Sequence, residues 1–127
     1  MLKKLLPFVF LPLLAGGCAT GARFTNLTPT HQPRSSNNLY TVEVALDSRQ
    51  QTLRWDSIQP QIAVGSEYYS MRPIKLMSNR WEGLVPVPPD TSLVHYRYKF
   101  TFEYNTFGKP KTDSAISPDY TLRIADK

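Results

Sequence analysis

Residues 92–104, SLVHYRYKFTFEY, carry the pattern that decides the fold. Val94, Tyr96, Tyr98, Phe100, Phe102 and Tyr104 fall on one side of a period-two repeat, and His95, Arg97, Lys99, Thr101 and Glu103 fall on the other. Side chains alternate between the two faces of an extended strand, whereas a helix repeats every 3.6 residues. Successive apolar or aromatic residues at a spacing of two therefore predict a long strand with one buried and one solvated face.

The same period extends outward in both directions. Tyr40, Val42, Val44 and Leu46 alternate with Thr41, Glu43 and Ala45; Thr52 to Ser57 carries Leu53 and Trp55 on one face; Gln61 to Val64 is a shorter run ended by Gly65. Tyr120, Leu122 and Ile124, alternating with Thr121 and Arg123, predict a last strand. Turn-forming residues separate these runs at Asp47-Ser48, Gln59-Pro60, Ser78-Asn79, Pro88-Pro89-Asp90, Phe107 to Pro110 and Ser117-Pro118-Asp119. No amphipathic helix stands out, apart from an ambiguous stretch around Ser48 to Leu53. Trp55 and Trp81 are expected in the core, because large aromatics dominate sandwich interiors. The expectation is an all-β chain whose residues 39–127 form a two-sheet, immunoglobulin-like β-sandwich of about seven strands. With a single cysteine in the sequence, no disulfide forms within the chain, and the core must hold the sheets together.

From Ile62 onward the sequence runs IAVGSEYYSMRPIKLMSNRWEGLVPVPPDTSLVHYRYKFTFEYN. This order, with Gly65, Met71, Trp81, Pro88, Pro89 and the Tyr96 to Phe100 strand, resembles the early-set immunoglobulin-like domains found with glycogen- and starch-binding modules. The resemblance covers Ile62 to about Ile124 and implies an early-set sandwich. Glycan-binding members carry a tryptophan shortly after the glycine and an aspartate-glycine pair after the Lys-Phe strand. Here Tyr68 and Tyr69 follow Gly65, and Glu103-Tyr104 occupies the second place. Lys99 maps onto a position that contacts sugar in such domains. A sugar site needs flat aromatic faces and polar side chains for the hydroxyls. Tyr68, Tyr69, Lys99 and His95 are the candidate ligand-binding residues on that basis. The alternative is that one tyrosine packs in the core and the other lies on the surface.

At the N-terminus, MLKKLLPFVFLPLLAGGC combines Lys3 and Lys4, an apolar run from Leu5 to Leu14, and the small residues Ala15, Gly16 and Gly17. That is the three-part form of a secretory signal. The run is about half the length needed to cross a bilayer as a helix, and it contains Pro7 and Pro12. Cys18, the sole cysteine, follows the small residues, and the segment resembles the bacterial lipobox. The resemblance implies cleavage before Cys18, a diacylglyceryl group on its thiol and an acyl chain, such as palmitate, on its new amino terminus. Several chains on one residue satisfy the requirement for stable anchoring, which a single chain does not. Ala19 in place of the aspartate that commonly retains such proteins at the inner membrane implies the outer membrane, where the organism has one. Residues 19–38, rich in Thr, Asn, Ser and Pro, read as a flexible tether. The expected organisation is thus a signal peptide over 1–17, a lipidated tether over 18–38 and the sandwich over 39–127.

The whole sequence has 15 basic and 10 acidic residues; loss of Lys3 and Lys4 with the signal leaves 13 against 10, a formal charge of +3. The basic residues are interspersed with acids rather than massed in a stripe, which argues against a nucleic-acid partner. For catalysis, His31 lies in the expected tether, leaving His95 as the only positioned imidazole, and no Gly-x-Ser-x-Gly elbow occurs. Neither paired histidines nor a cysteine cluster offers metal-ligand spacing. No enzyme activity, cofactor or metal is expected. Asn26-Leu27-Thr28 has the form of a glycosylation acceptor, a nonspecific signal. The expected partners are the membrane, through Cys18, and either an envelope protein or a polysaccharide.

Overall fold

A computed structural model describes Ala22 to Ala125. The signal segment and Cys18 lie outside the described residues. Ten strands follow in order: β1 (Ala22–Asn26), β2 (His31–Pro33), β3 (Leu39–Ser48), β4 (Leu53–Val64), β5 (Glu67–Ser70), β6 (Arg72–Pro73), β7 (Arg80–Pro86), β8 (Leu93–Tyr104), β9 (Lys111–Ile116) and β10 (Tyr120–Ala125). They form two sheets, one ordered β1-β3-β7-β6 and the other β2-β10-β8-β4-β5, with β9 also paired to β8. The all-β, immunoglobulin-like sandwich is therefore present. β3 and β7 take the central places of one sheet, β4 and β8 those of the other.

The alternation read from the sequence sets the core. Tyr40, Val42, Val44 and Leu46 of β3 face Tyr96, Tyr98, Phe100 and Phe102 of β8, all nearly inaccessible to solvent. Phe100 lies at the centre, with the rings of Phe24 and Trp81 each meeting it edge-on at a centroid distance of 5.1 Å. That arrangement suits the aromatic quadrupole.

Phe24 belongs to β1, and this corrects the expected tether. β1 pairs antiparallel with β3 from Ala22↔Ser48 to Asn26↔Val44, and β2 pairs parallel with β10. A polar composition does not prevent a short strand at a sheet edge, where one face and one side meet water. The same segment closes the sandwich through a buried polar network. The Tyr98 hydroxyl donates to Asn26 Oδ1 at 2.6 Å, Asn26 Nδ2 donates to the Tyr96 hydroxyl at 2.9 Å, and the Glu43 amide donates to Thr28 Oγ1 at 2.8 Å. The Thr28 and Tyr98 hydroxyls also lie 3.2 Å apart. Tyr98 thus reaches from β8 across the core to the segment that lines β3. Asn26 and Thr28, which matched a glycosylation acceptor, are instead structural partners inside the protein.

Trp55 is a second correction: it is 42% exposed, whereas Trp81 is buried as expected. What read as two short strands is the single strand β4, interrupted by a bulge. Arg54 pairs with Glu103 and Gln59 with Thr101, so residues 55–58 stand opposite Phe102 alone. The Ser57 hydroxyl fills the gap, donating to the Arg54 carbonyl at 2.6 Å and accepting from the Glu103 amide at 2.8 Å. The extra residues break the alternation that would have turned Trp55 inward. A smaller irregularity separates β9 from β10 at Pro118. There Ser117 stands in for the missing ladder, its amide donating to the Tyr98 carbonyl and its hydroxyl accepting from the Tyr98 amide.

Candidate functional site

The four expected ligand-binding residues do not converge. β4 and β5 form a hairpin whose two-residue loop begins at Gly65 with φ of 60°. A tight hairpin turn requires a left-handed residue there, which glycine supplies without a side-chain penalty. The register then sets Tyr68 opposite Ala63 and Tyr69 opposite Ile62. Ile62 is fully buried, so Tyr69 turns inward and packs against the core, while Tyr68 stands 53% exposed on the outer face. One tyrosine in the core and one on the surface was the alternative reading.

Lys99 shares that outer face, with Nζ 5.3 Å from the centre of the Tyr68 ring, a cation–π contact. Arg97, opposite Ala63, is paired with Asp119 at 3.4 Å. His95 lies four residues from Lys99 along β8, about 13 Å at the rise of a strand, and its Nδ1 is 3.3 Å from the Thr121 hydroxyl. Only Tyr68 and Lys99 of the four therefore form a contact.

A groove of about 520 Å³ opens beside Tyr68, lined by residues 68–72 together with Thr41, Glu82, Gly83 and Leu84. Its origin lies in the way the chain changes sheets. After Ser70 the chain leaves β5, crosses at the buried Met71, whose amide donates to the Pro60 carbonyl at 3.0 Å, and enters β6 in the opposite sheet. β6 covers β7 only at Trp81 and Glu82, so among the described residues Gly83 to Pro86 run on without a strand on that side. Among the described residues β5 likewise has a partner strand on one side only. Gly83 permits the crossing to lie close: a Cβ there would sit 2.8 Å from Ile62 Cδ1 and 3.2 Å from Met71 Cγ. Leu84 and Tyr68, both about half exposed, form the apolar walls, and Arg72 and Glu82 are paired across the lower end at 3.6 Å. Leu84 was legible as an apolar residue on the outward phase of RWEGLVP, but its neighbour Tyr68 belongs to the other sheet. No spacing in the sequence relates the two.

No protein-family model matches the chain, and no curated protein sequence matches it either. Solved structures with a related outline include a DUF4785 family protein from Legionella pneumophila, at 9% identity and a TM-score of 0.43, covering 81% of this chain and 28% of that one. This chain thus spans less than a third of the Legionella protein's length. Murine CRIg aligns at 12% identity and a TM-score of 0.44, covering 82% of this chain and 99% of CRIg. AggA, the major subunit of aggregative adherence fimbriae type I from Escherichia coli, aligns at 8% identity and a TM-score of 0.39, covering 84% and 94%. At such identities the fold rests on the strand order and pairing described above.

Two tyrosines are electrostatically perturbed, and both belong to the interior network rather than to the groove. Burial pushes the Tyr98 hydroxyl well above its ordinary range, an effect that the bond with Thr28 only partly offsets. Burial, followed by the neighbouring Tyr96, raises Tyr120. Both phenols stay protonated at neutral pH, and the Tyr98 hydroxyl thereby remains a donor to Asn26 Oδ1.

Proposed function

We propose that this chain is a lipid-anchored envelope protein whose sandwich is a non-enzymatic interaction module, receiving a protein partner along the open side between β5 and β7. The groove beside Tyr68 and Leu84 carries this reading. It combines apolar walls with two strand edges, and an extended segment of a partner gains main-chain hydrogen bonds from an edge and specificity from side-chain pockets. Lipid on Cys18 supplies the address, and the outer membrane is the destination expected where the organism has one. A photo-cross-linking residue at Leu84 should capture a discrete protein in intact cells, while one at Asp119, away from the groove, should not. Capture of lipid alone, or equal capture at both positions, would refute the partner assignment. Replacing Cys18 with Ala should move the protein from the membrane fraction to the soluble fraction.

A second reading, a surface glycan-binding module, draws on the exposed Tyr68 ring with Lys99 against it. It requires polysaccharide pull-down that is lost on Tyr68→Ala. No binding to any polysaccharide would eliminate it.

A further inference from the structure

The end of the sandwich from which the N-terminal segment departs carries an unusual set of side chains. Ala22 opens β1 opposite Ser48, the last residue of β3. The loops at that end are 49–52, 74–79 and 105–110, brought together by bonds from the Leu46 amide to the Asn79 carbonyl and from the Asn105 amide to the Thr52 carbonyl. Leu76 and Phe107 sit at two loop tips with relative exposures of 103% and 107%, so neither touches the rest of the protein appreciably. Met77 (38%) and Trp55 are partly exposed at the same end. Single exposed apolar residues are ordinary, but four large ones at one end call for a partner.

The tips are built to hold these side chains outward. The Met77 amide donates to the Ile74 carbonyl at 3.1 Å, closing a turn in which Leu76 adopts φ of 68°, a region that branched side chains rarely enter. In the other loop the Thr106 hydroxyl bonds the Lys109 carbonyl at 2.8 Å, and Gly108 turns the chain at φ of 93°. The three loops, RQQT, IKLMSN and NTFGKP, contain Arg49, Lys75 and Lys109 and no carboxylate. Lys111 follows at the start of β9. Of the acids nearby, Asp47 shares a surface pocket with Arg23 and Arg49. Apolar tips ringed by lysine and arginine match the layered chemistry of an anionic bilayer, with acyl chains below and phosphates around them.

We propose that this end lies directly on an anionic phospholipid leaflet, with Leu76 and Phe107 inserted below the headgroups and Arg49, Lys75 and Lys109 among the phosphates. The proposal rests on the reading of Cys18 as the lipidated residue. Three residues lie between Cys18 and Ala22, and the four Cα-to-Cα steps across them reach at most about 14 Å when fully extended. A long leash would let the domain stand clear of the bilayer; a strand that starts at Ala22 brings this end down to it. The groove beside Tyr68 stays open to a partner in the aqueous phase.

Because lipid occupies the only native cysteine, a single added thiol can be labelled specifically. The full-length, processed protein, carrying Leu76→Cys, Phe107→Cys or Asp90→Cys labelled with an environment-sensitive dye, is reconstituted into vesicles of phosphatidylcholine and phosphatidylglycerol. Asp90 lies at the opposite end, in the loop between β7 and β8. Dyes at positions 76 and 107 should brighten several-fold and be quenched by spin-labelled lipid, while the dye at 90 does neither. Lys75→Glu with Lys109→Glu should sharply weaken quenching at 76. If all three dyes remain aqueous while Cys18 of the unlabelled protein resists a thiol reagent, the docked orientation is wrong and the anchor stands. If Cys18 reacts and the protein is not membrane-bound, both readings fall. Shielding at 76 and 107 without quenching by lipid would mean that this end covers protein instead, which also overturns the proposal.

Discussion

Tyr98 shows how much one side chain can carry in a sandwich without a disulfide. Its ring fills the core beside Phe24, and its hydroxyl joins β8 to Asn26, Thr28 and the Glu43 carbonyl. Tyr98→Phe keeps the ring but removes the 2.6 Å bond to Asn26 Oδ1 and the hydroxyl contact with Thr28, while Asn26 and Thr28 keep their bonds to Tyr96 and Glu43, and should cost about 1 kcal/mol, the net worth of one hydrogen bond. A denaturant titration measures it. The raised hydroxyl also contributes to a loss of stability at alkaline pH. The folded-state value lies above the ordinary value of 10.0, so below pH 10 both states are protonated and this group adds no pH dependence. Above pH 10 the unfolded chain loses the proton first, and stability should fall by about 1.4 kcal/mol per pH unit. Tyr98→Phe should remove this group's share of the slope in thermal melts between pH 10 and 11. That Tyr98 faces inward was legible from its place in the alternating run. Its partners were not, because Asn26 lies 72 positions away in a segment whose composition suggests only solvation.

Among the elements, β1 and β4 separate what periodicity reveals from what it hides. β3 and β8 were legible over almost their whole length because each buries one complete face, which period-two patterning records directly. β1 buries chiefly Phe24 and draws its remaining stability from its pairing with β3. A chain beginning at Leu39, the boundary suggested by composition, loses β1, β2 and the Asn26 and Thr28 anchors. It should show no cooperative thermal transition, while one beginning at Ala19 should melt with a single cooperative transition. In β4 the bulge sets four residues against one, and alternation across it loses its meaning, so Trp55 was misplaced. The crossing at Met71 depends on Gly83. Gly83→Val should destabilise by about 1–3 kcal/mol through overpacking against Ile62, visible as a lowered midpoint of unfolding.

Taken as a whole molecule, the sandwich has two surfaces to which roles are proposed above: the apolar, basic end where β1 begins at Ala22, and the open side between β5 and β7. Leu84→Arg places a charge on the wall of the groove without touching the core. It should abolish cross-linking to the partner while leaving the melting temperature within about 1–2 °C of the parent, since exposed substitutions seldom change stability by more than half a kcal/mol. The sequence by itself determined the fold class, the central strands β3 and β8 and the inward set of aromatic residues, because burial of one strand face imposes a local period that any reader of the chain can detect. The stretch of consecutive residues that resembles a signal and lipobox around Cys18 is likewise local, and the lipid anchor proposed from it rests on that resemblance. Tertiary structure alone decided that Tyr68 meets Lys99 and lines a groove with Leu84, that Asn26 and Thr28 are internal partners, and that Leu76 and Phe107 share one end with the start of β1. Each of those juxtapositions depends on register, bulges and a change of sheet between residues far apart in the chain, and chain separation leaves no periodic trace.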